Sequence, residues 1–195
     1  MADFRLETDR LMLRDWSEDD CDPFVRLTNT PAVMRWLGGA KTDEISRASP
    51  ARFMETARQF GHCFWAVERR SGPHPLSGEL LGFCGLKRTN IPGASIFGEF
   101  EIGWRLREDA WGQGFAREAA EASLKTGFEQ FGASRINAIT VMQNSASWGL
   151  MERLGMVRMP ALDFRDDRED EEIANLIVYS ITHADWQSSS NQGRT

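Results

Sequence analysis

The period of apolar positions changes along the chain, and each change marks an element. From Arg5 to Arg14 the residues alternate around Leu6, Leu11 and Leu13, which predicts a strand. Trp16-Ser17-Glu18-Asp19-Asp20 opens a helix: Ser17 is a capping residue, and acids crowd the first turn where the helix dipole favours them. Pro23, Phe24, Val25 and Leu27 continue it. Pro31 to Leu37 reads as a second short helix stopped by Gly38-Gly39. A third is expected over about Pro50 to Phe60, with Phe53, Ala57 and Phe60 on one side and Gly61 as its stop.

Extended patterns follow. Cys63 to Val67 and Leu80 to Leu86 read as strands joined across the turn Ser71-Gly72-Pro73-His74-Pro75. After a second turn at Asn90 to Gly93, Phe97 to Leu106 is the clearest strand. Phe100, Ile102, Trp104 and Leu106 fall on one face, and Glu99, Glu101 and Arg105 on the other. The bend Trp111-Gly112-Gln113-Gly114 leads into an amphipathic helix with Ala116, Ala120, Leu124, Phe128 and Phe131 as its stripe, an i,i+4 pair Glu121–Lys125, and Gly132 as a stop.

Arg135 to Met142 is a strand, Asn144 to Leu154 a helix closed by Gly155, and Met156 to Phe164 and Ile173 to Ile181 are final strands. Asp166 to Glu172 is expected to be a solvated turn, and Gln187 to Thr195 a frayed polar tail. The fold class expected is α+β: a mixed, mostly antiparallel central sheet of about seven strands with helices on both faces. It forms a single domain over residues 1–187, followed by a tail over 188–195.

Composition narrows the chemistry. A net charge of −6 argues against a nucleic-acid partner and suits a cationic one such as an amine. Cys21, Cys63 and Cys84 are too scattered for a disulfide framework, and His62, His74 and His183 show no metal-ligand spacing, so no metal is expected. The N-terminal residues carry no long apolar run. Neither a signal peptide nor a membrane span is expected, and the protein is read as cytoplasmic.

The informative segment runs strand, glycine loop, helix, from Leu106 through Gly112, Gln113, Gly114, Phe115 and Ala116 to Arg117. Glycines let the backbone approach a ligand, and amides at a helix N-terminus converge on an anion, as a pyrophosphate requires. Arg117 in the first turn adds charge. A Walker loop needs Gly-Lys-Ser/Thr, which is missing. A dinucleotide fingerprint needs a third glycine where Arg117 stands.

Three motifs in order, Glu101-Ile102-Gly103-Trp104, Trp111-Gly112-Gln113-Gly114-Phe115-Ala116 with Glu118-Ala119, and Asn144-Ser145-Ala146-Ser147 leading to Leu154-Gly155-Met156, give the chain a resemblance. It resembles the GNAT superfamily of N-acetyltransferases, in the branch similar to bacterial ribosomal-protein N-terminal acetyltransferases. The likeness extends from Glu7-Thr8-Asp9-Arg10 to Tyr179-Ser180-Ile181-Thr182. It implies a GNAT-like fold and transfer of the acetyl group of acetyl-CoA, the co-substrate, to a primary amine: a protein N-terminal α-amine or a small-molecule amine. It implies that the backbone of Trp104, Arg105 and Leu106 pairs with the pantetheine arm, and that the amides of Gly112 to Arg117 hold the pyrophosphate. Asn144 would bind the arm, with Ser147 facing the same region. Relatives often pair, so a homodimer is compatible. The tyrosine that often serves relatives as an acid falls at Met151, which keeps one alternative in view: a catalytically weak acyl-CoA-binding sensor.

Acetyl transfer to an amine needs a neutral nucleophile, donors for a tetrahedral oxyanion and a way to release a thiolate. Backbone amides of Ile102 to Trp104, beside Gly103, are candidate donors. Glu101 is the first candidate base and Glu99 the second; the competing reading makes both solvated acids on a strand's polar face. Ser147 is a candidate proton donor to sulfur, against a helix-start serine bonded to backbone, and Tyr179 reads as core. An α-amine is roughly a tenth neutral at pH 7 and a lysine amine only a few parts in ten thousand, a gap of about 3 kcal/mol that favours α-amines where no strong base is evident. Trp36, Trp65 and Trp104 are either core or the lining of an acceptor pocket, and the early helices from Phe24 to Leu37 lie on the acceptor side by resemblance.

Overall fold

The computed structural model describes residues 4–192, with side chains through residue 188. In chain order the elements are β1 (Arg5–Glu7), β2 (Leu11–Arg14), α1 (Cys21–Thr28), α2 (Pro31–Met34), α3 (Asp43–Phe60), β3 (Phe64–Arg69), β4 (Leu80–Arg88) and β5 (Phe100–Leu106). Then come α4 (Phe115–Glu129), β6 (Arg135–Val141), α5 (Ser145–Arg153), β7 (Val157–Arg158), β8 (Phe164–Arg165), α6 (Glu171–Ala174), β9 (Asn175–Thr182) and α7 (His183–Gln192). The α+β class and the mixed, mostly antiparallel sheet are as expected; the described residues form nine strands, more than the pattern suggested.

The described residues fall into two compact units. One comprises residues 4–87 and 103–123, the other residues 88–102 and 124–192.

In the first unit β1 to β4 pair antiparallel in sequence order. The predicted strand from Arg5 to Arg14 is instead a hairpin, with Leu6 opposite Leu13. Thr8 makes the turn: its backbone N–H donates to the Leu11 carbonyl, and its hydroxyl oxygen accepts from the Leu11 amide, both at 2.9 Å. Ahead of α1 the expected cap is present. The Ser17 amide donates to Asp20 at 2.8 Å, and the buried Asp20 also takes both Arg14 guanidinium nitrogens at 2.7 and 2.8 Å.

Helix α3 starts earlier than predicted, because Thr42 caps it and Asp43 and Glu44 fill the first turn. Pro50, read as a first helical residue, lies inside the helix, where it forgoes only the bond to one carbonyl of the preceding turn. An aromatic cluster fills this unit. Trp16 meets Phe24 edge-on at 5.0 Å, Phe53 meets Phe64 and Phe83, and Phe64 stacks on Phe83 at 4.9 Å.

In the second unit β5 pairs with β6 in parallel, at Phe100↔Ile136 and Glu101↔Asn137. β6 pairs with β9 antiparallel along its length, and β7 and β8 both pair with β9. The single strand predicted from Met156 to Phe164 is broken into β7 and β8 by a helical turn at Pro160–Leu162, since Pro160 has no N–H to donate to a ladder. The predicted solvated turn holds the buried Asp166, which accepts from Arg168, and the short helix α6. Helix α7 continues to Gln192 where a frayed tail was expected; residues 193–195 lie outside the described residues.

Helix α4 buries Phe115, Ala119, Ala120, Leu124 and Phe128, so its apolar face begins one position ahead of the predicted stripe. Glu121 pairs with Arg117, one turn before it, and not with Lys125. Among the described residues no helix is long and apolar enough to cross a membrane.

Candidate active site

The loop between β5 and α4 is held from three sides, all within the first unit. Gly112 and Gly114 have φ of 72° and 79°, a left-handed region that costs a residue with a Cβ about 1–2 kcal/mol, so glycine is favoured at both. Among the described residues the amides of Gly112, Gln113, Gly114, Phe115, Ala116 and Arg117 have no acceptor; the first paired one is Glu118, which donates to the Gly114 carbonyl at 3.1 Å. Consecutive free amides at a helix start, with the helix dipole behind them, form an anion cradle.

Glu118 anchors this cradle. Its carboxylate accepts from the Thr8 hydroxyl at 2.5 Å, the Arg10 amide at 2.8 Å and the Arg10 side chain at 2.6 Å. Arg10 in turn donates to the Gln113 carbonyl at 2.9 Å. Burial pushes the Glu118 carboxyl up, but the bonds from Thr8 and Arg10 outweigh it and hold the group below its usual range. On another side the Leu76 amide donates to His74 Nδ1, which leaves the Nε2 proton to face Gln113 Oε1 at 2.9 Å. The Gln113 side-chain amide donates to the Asp109 carbonyl. Sequence reading found the loop and missed Arg10 and His74, whose only signal is a contact across many residues.

Strand β5 has two unlike edges. The Arg107 amide donates to the Leu81 carbonyl at 2.8 Å, and a Cβ built on Gly82 would lie 2.1 Å from the Arg105 carbonyl oxygen. Arg105 and Arg107 therefore turn their backbone polar groups toward β4, and by alternation Trp104 and Leu106 turn theirs the other way. This corrects the expectation for Arg105, whose backbone is unavailable to a ligand on the opposite edge. The Leu106 carbonyl is also taken, by Trp111 Nε1 at 2.8 Å. What remains on that edge is the N–H and C=O of Trp104 and the N–H of Leu106. At Gly103 an added Cβ would lie 2.7 Å from Phe64 Cζ, so only glycine lets the strand rest on that ring.

The two candidate bases differ sharply. Glu99 is bound by Arg135 through contacts of 2.6 to 3.0 Å and by the Asn137 amide at 2.8 Å. Its burial raises the carboxyl, yet the Arg135 and Asn137 hydrogen bonds and the Arg135 charge leave it net lowered, which makes it a poor proton acceptor. Asn137 Oδ1 takes the Ser180 hydroxyl and completes this network. Glu101 is only 5 % exposed, so the solvated reading fails for it; it accepts from the Thr89 hydroxyl at 3.0 Å.

Asn144 caps α5, its Oδ1 accepting from the Ser147 amide at 3.3 Å, which leaves the Asn144 Nδ2 hydrogens as donors. The Ser147 hydroxyl bonds no backbone group among the described residues, so the competing helix-start reading finds no support. Tyr179 is buried and donates to Glu152 at 3.3 Å, a core residue as expected. Trp65 is fully buried and stacks on Phe4 at 4.2 Å, which removes it from any pocket lining. Cys21, Cys63 and Cys84 are free, and burial pushes the Cys84 thiol up to about 12.

The model of the acetyltransferase (GNAT) domain matches residues 10–157. An uncharacterized N-acetyltransferase of Bacillus subtilis, YnaD, is 39% identical over 159 residues, covering 78% of this chain and 82% of that protein. The crystal structure of a GNAT-family acetyltransferase from Bacillus anthracis superposes with a TM-score of 0.73 at 24% identity, over 92% of this chain and 98% of the other. A structure described as a putative ribosomal-protein-serine acetyltransferase from Vibrio cholerae gives 0.69 at 18% identity over 92% and 97%, a likeness of fold.

Proposed function

Because this chain belongs to the GNAT acetyltransferase family and is thereby an acetyl-CoA-dependent acetyltransferase, we propose that its acceptor is a primary amine, a protein N-terminal α-amine or a small-molecule amine, which attacks the thioester directly while both substrates are bound. The observation that carries the reading is the run of unpaired amides from Gly112 to Arg117 at the start of α4, a cradle with the donors and dipole that a pyrophosphate needs. Arg117 lends it charge, since its surface pair with Glu121 is exposed and cheap to exchange.

The Trp104 N–H and C=O and the Leu106 N–H are offered to the amide groups of the pantetheine arm, and the Asn144 Nδ2 hydrogens to the arm's carbonyls. Glu101 is assigned as the base, directly or through water, and Glu99 is assigned to its ion pair with Arg135. As the amine nitrogen bonds to the acyl carbon, its surplus proton passes to Glu101, and the carbonyl electrons move to oxygen. Backbone N–H donors beside Gly103 stabilise that oxyanion. The carbon–sulfur bond then breaks; the Ser147 hydroxyl donates a hydrogen bond to the leaving thiolate, which with a thiol pKa near 8.5 departs readily and takes its proton from solvent, and Glu101 gives its proton back to solvent.

The test is acceptor-dependent thiol release from acetyl-CoA across peptides with free N-termini and small amines. Release that rises with an amine and yields an N-acetyl product supports the reading. Tight acetyl-CoA binding with no amine-dependent release across the panel refutes it and favours a sensor.

A further inference from the structure

Arg105, in the first unit, is a cation with no carboxylate partner among the described residues. Arg105 projects from β5 into the aromatic cluster: its guanidinium carbon lies 4.5 Å from the Phe24 ring centre and 5.3 Å from that of Phe83. Its Nη1 finds only the Met34 sulfur, at 3.0 Å, a weak acceptor. Its Nε is fully buried with no hydrogen-bond partner, and among the described residues no carboxylate pairs with it. The neighbouring Arg107, by contrast, is matched by Glu79 and Asp109. Burial first, and then the positive charge of Arg52 on α3, push the Arg105 group down to about 10, so it is still a cation at neutral pH.

A buried, half-satisfied cation is costly, and its natural complement is an anion that fits the planar fork of the guanidinium. A carboxylate matches that fork with two parallel N–H···O bonds. The groups around Arg105 set the rest of the ligand. Phe24 lies on α1 and Met34 on α2, Phe83 faces from β4, none of them supplies a competing acid, and Arg105 follows Trp104, whose backbone is offered to the acetyl donor. The aliphatic and aromatic surroundings accept a small apolar body and strengthen a charge-assisted bond by excluding water.

We propose that Arg105 binds a carboxylate of the acceptor, so that the preferred acceptor is a small amine that itself carries a carboxylate, that is, an amino acid. This deepens the acetyl-transfer reading and rests on it for turnover, though not for binding.

Two measurements on the full chain separate the two claims. Calorimetric binding of amino acids, and of the same compounds as α-carboxamides, to the protein saturated with coenzyme A tests the site alone. The acid form is expected to bind at least tenfold more tightly than its amide in the wild type. Arg105→Met is expected to remove that preference and Arg105→Lys to keep part of it. Acid and amide binding alike, neither binding, or a preference that survives in a folded Arg105→Met protein overturns the proposal. Thiol release with the same pairs tests transfer. An Arg105-dependent preference in binding without turnover leaves the carboxylate site standing and sinks the acetyl-transfer reading. Turnover of acid and amide with equal KM does the reverse.

Discussion

Gly114→Val strikes the cradle at its tightest point. The φ of 79° at Gly114 costs an L-residue about 1–2 kcal/mol, and a β-branched one more. An added Cβ would also sit 3.3 Å from Arg10 Nη2, the side chain that holds the loop through the Gln113 carbonyl. The loop escapes the strain by leaving its conformation, which turns neighbouring amides away from the anion. Losing a single charge-assisted hydrogen bond costs about 1.5–3 kcal/mol, or roughly tenfold to a hundredfold in affinity. Gly93 supplies the control: it has the same φ of 79° and open space around its Cβ position, and it lies outside the loop. Gly93→Val suffers the same backbone strain and lowers Tm without touching the cradle. Calorimetric titration with acetyl-CoA is expected to show at least a tenfold weaker Kd for Gly114→Val and a change under twofold for Gly93→Val. An unchanged Kd in folded Gly114→Val, or an equal loss in both variants, refutes the reasoning.

Glu101→Gln is expected to lower kcat about a hundredfold at pH 7. The deficit should shrink above pH 8 as the amine deprotonates unaided, and a deficit constant with pH removes Glu101 from the base role. Glu118→Gln removes a charged acceptor of three hydrogen bonds and is expected to cost about 1.5–3 kcal/mol at pH 7. Because the folded-state value of Glu118 is lowered, its contribution is complete above its ordinary value of 4.5 and lost as pH falls through the lower folded value. Wild-type and variant Tm should therefore converge in acid, and a gap that persists at low pH contradicts the assignment. Asp20→Ala leaves Arg14 without its closest partner and removes the acceptor of the Ser17 amide in the turn ahead of α1, so urea unfolding should show a loss of about 3–5 kcal/mol. A loss under about 1 kcal/mol would mean the pair is not a structural anchor.

The parts of the site that were legible in the sequence are those written in consecutive residues. Gly112, Gly114 and the helix after them announce a turn with positive φ and a free helix start, and both are there. What escaped depends on contacts distant in sequence. Glu118 reads as a first-turn acid, but its partner Arg10 lies 108 residues away. Glu101 alternates with apolar residues and so looks solvated; where Phe100, Glu101 and Ile102 are all buried, alternation does not report exposure. The backbone of Arg105 was assigned to the wrong edge of β5 because the direction of carbonyls along a strand is set by its neighbour, which the pattern does not name. Pro50 and Pro160 misled in opposite senses. One is tolerated inside α3 because Thr42 and two acids start the helix well before it, and the other splits a strand where the ladder needs a donor.

The central claim is that backbone amides at the start of α4 grip the pyrophosphate of the acetyl donor. A crystal structure with coenzyme A bound tests it most directly. The account predicts pyrophosphate oxygens within about 2.7–3.2 Å of amide nitrogens between Gly112 and Arg117. Coenzyme A ordered elsewhere on the molecule, with those amides facing solvent, would contradict it.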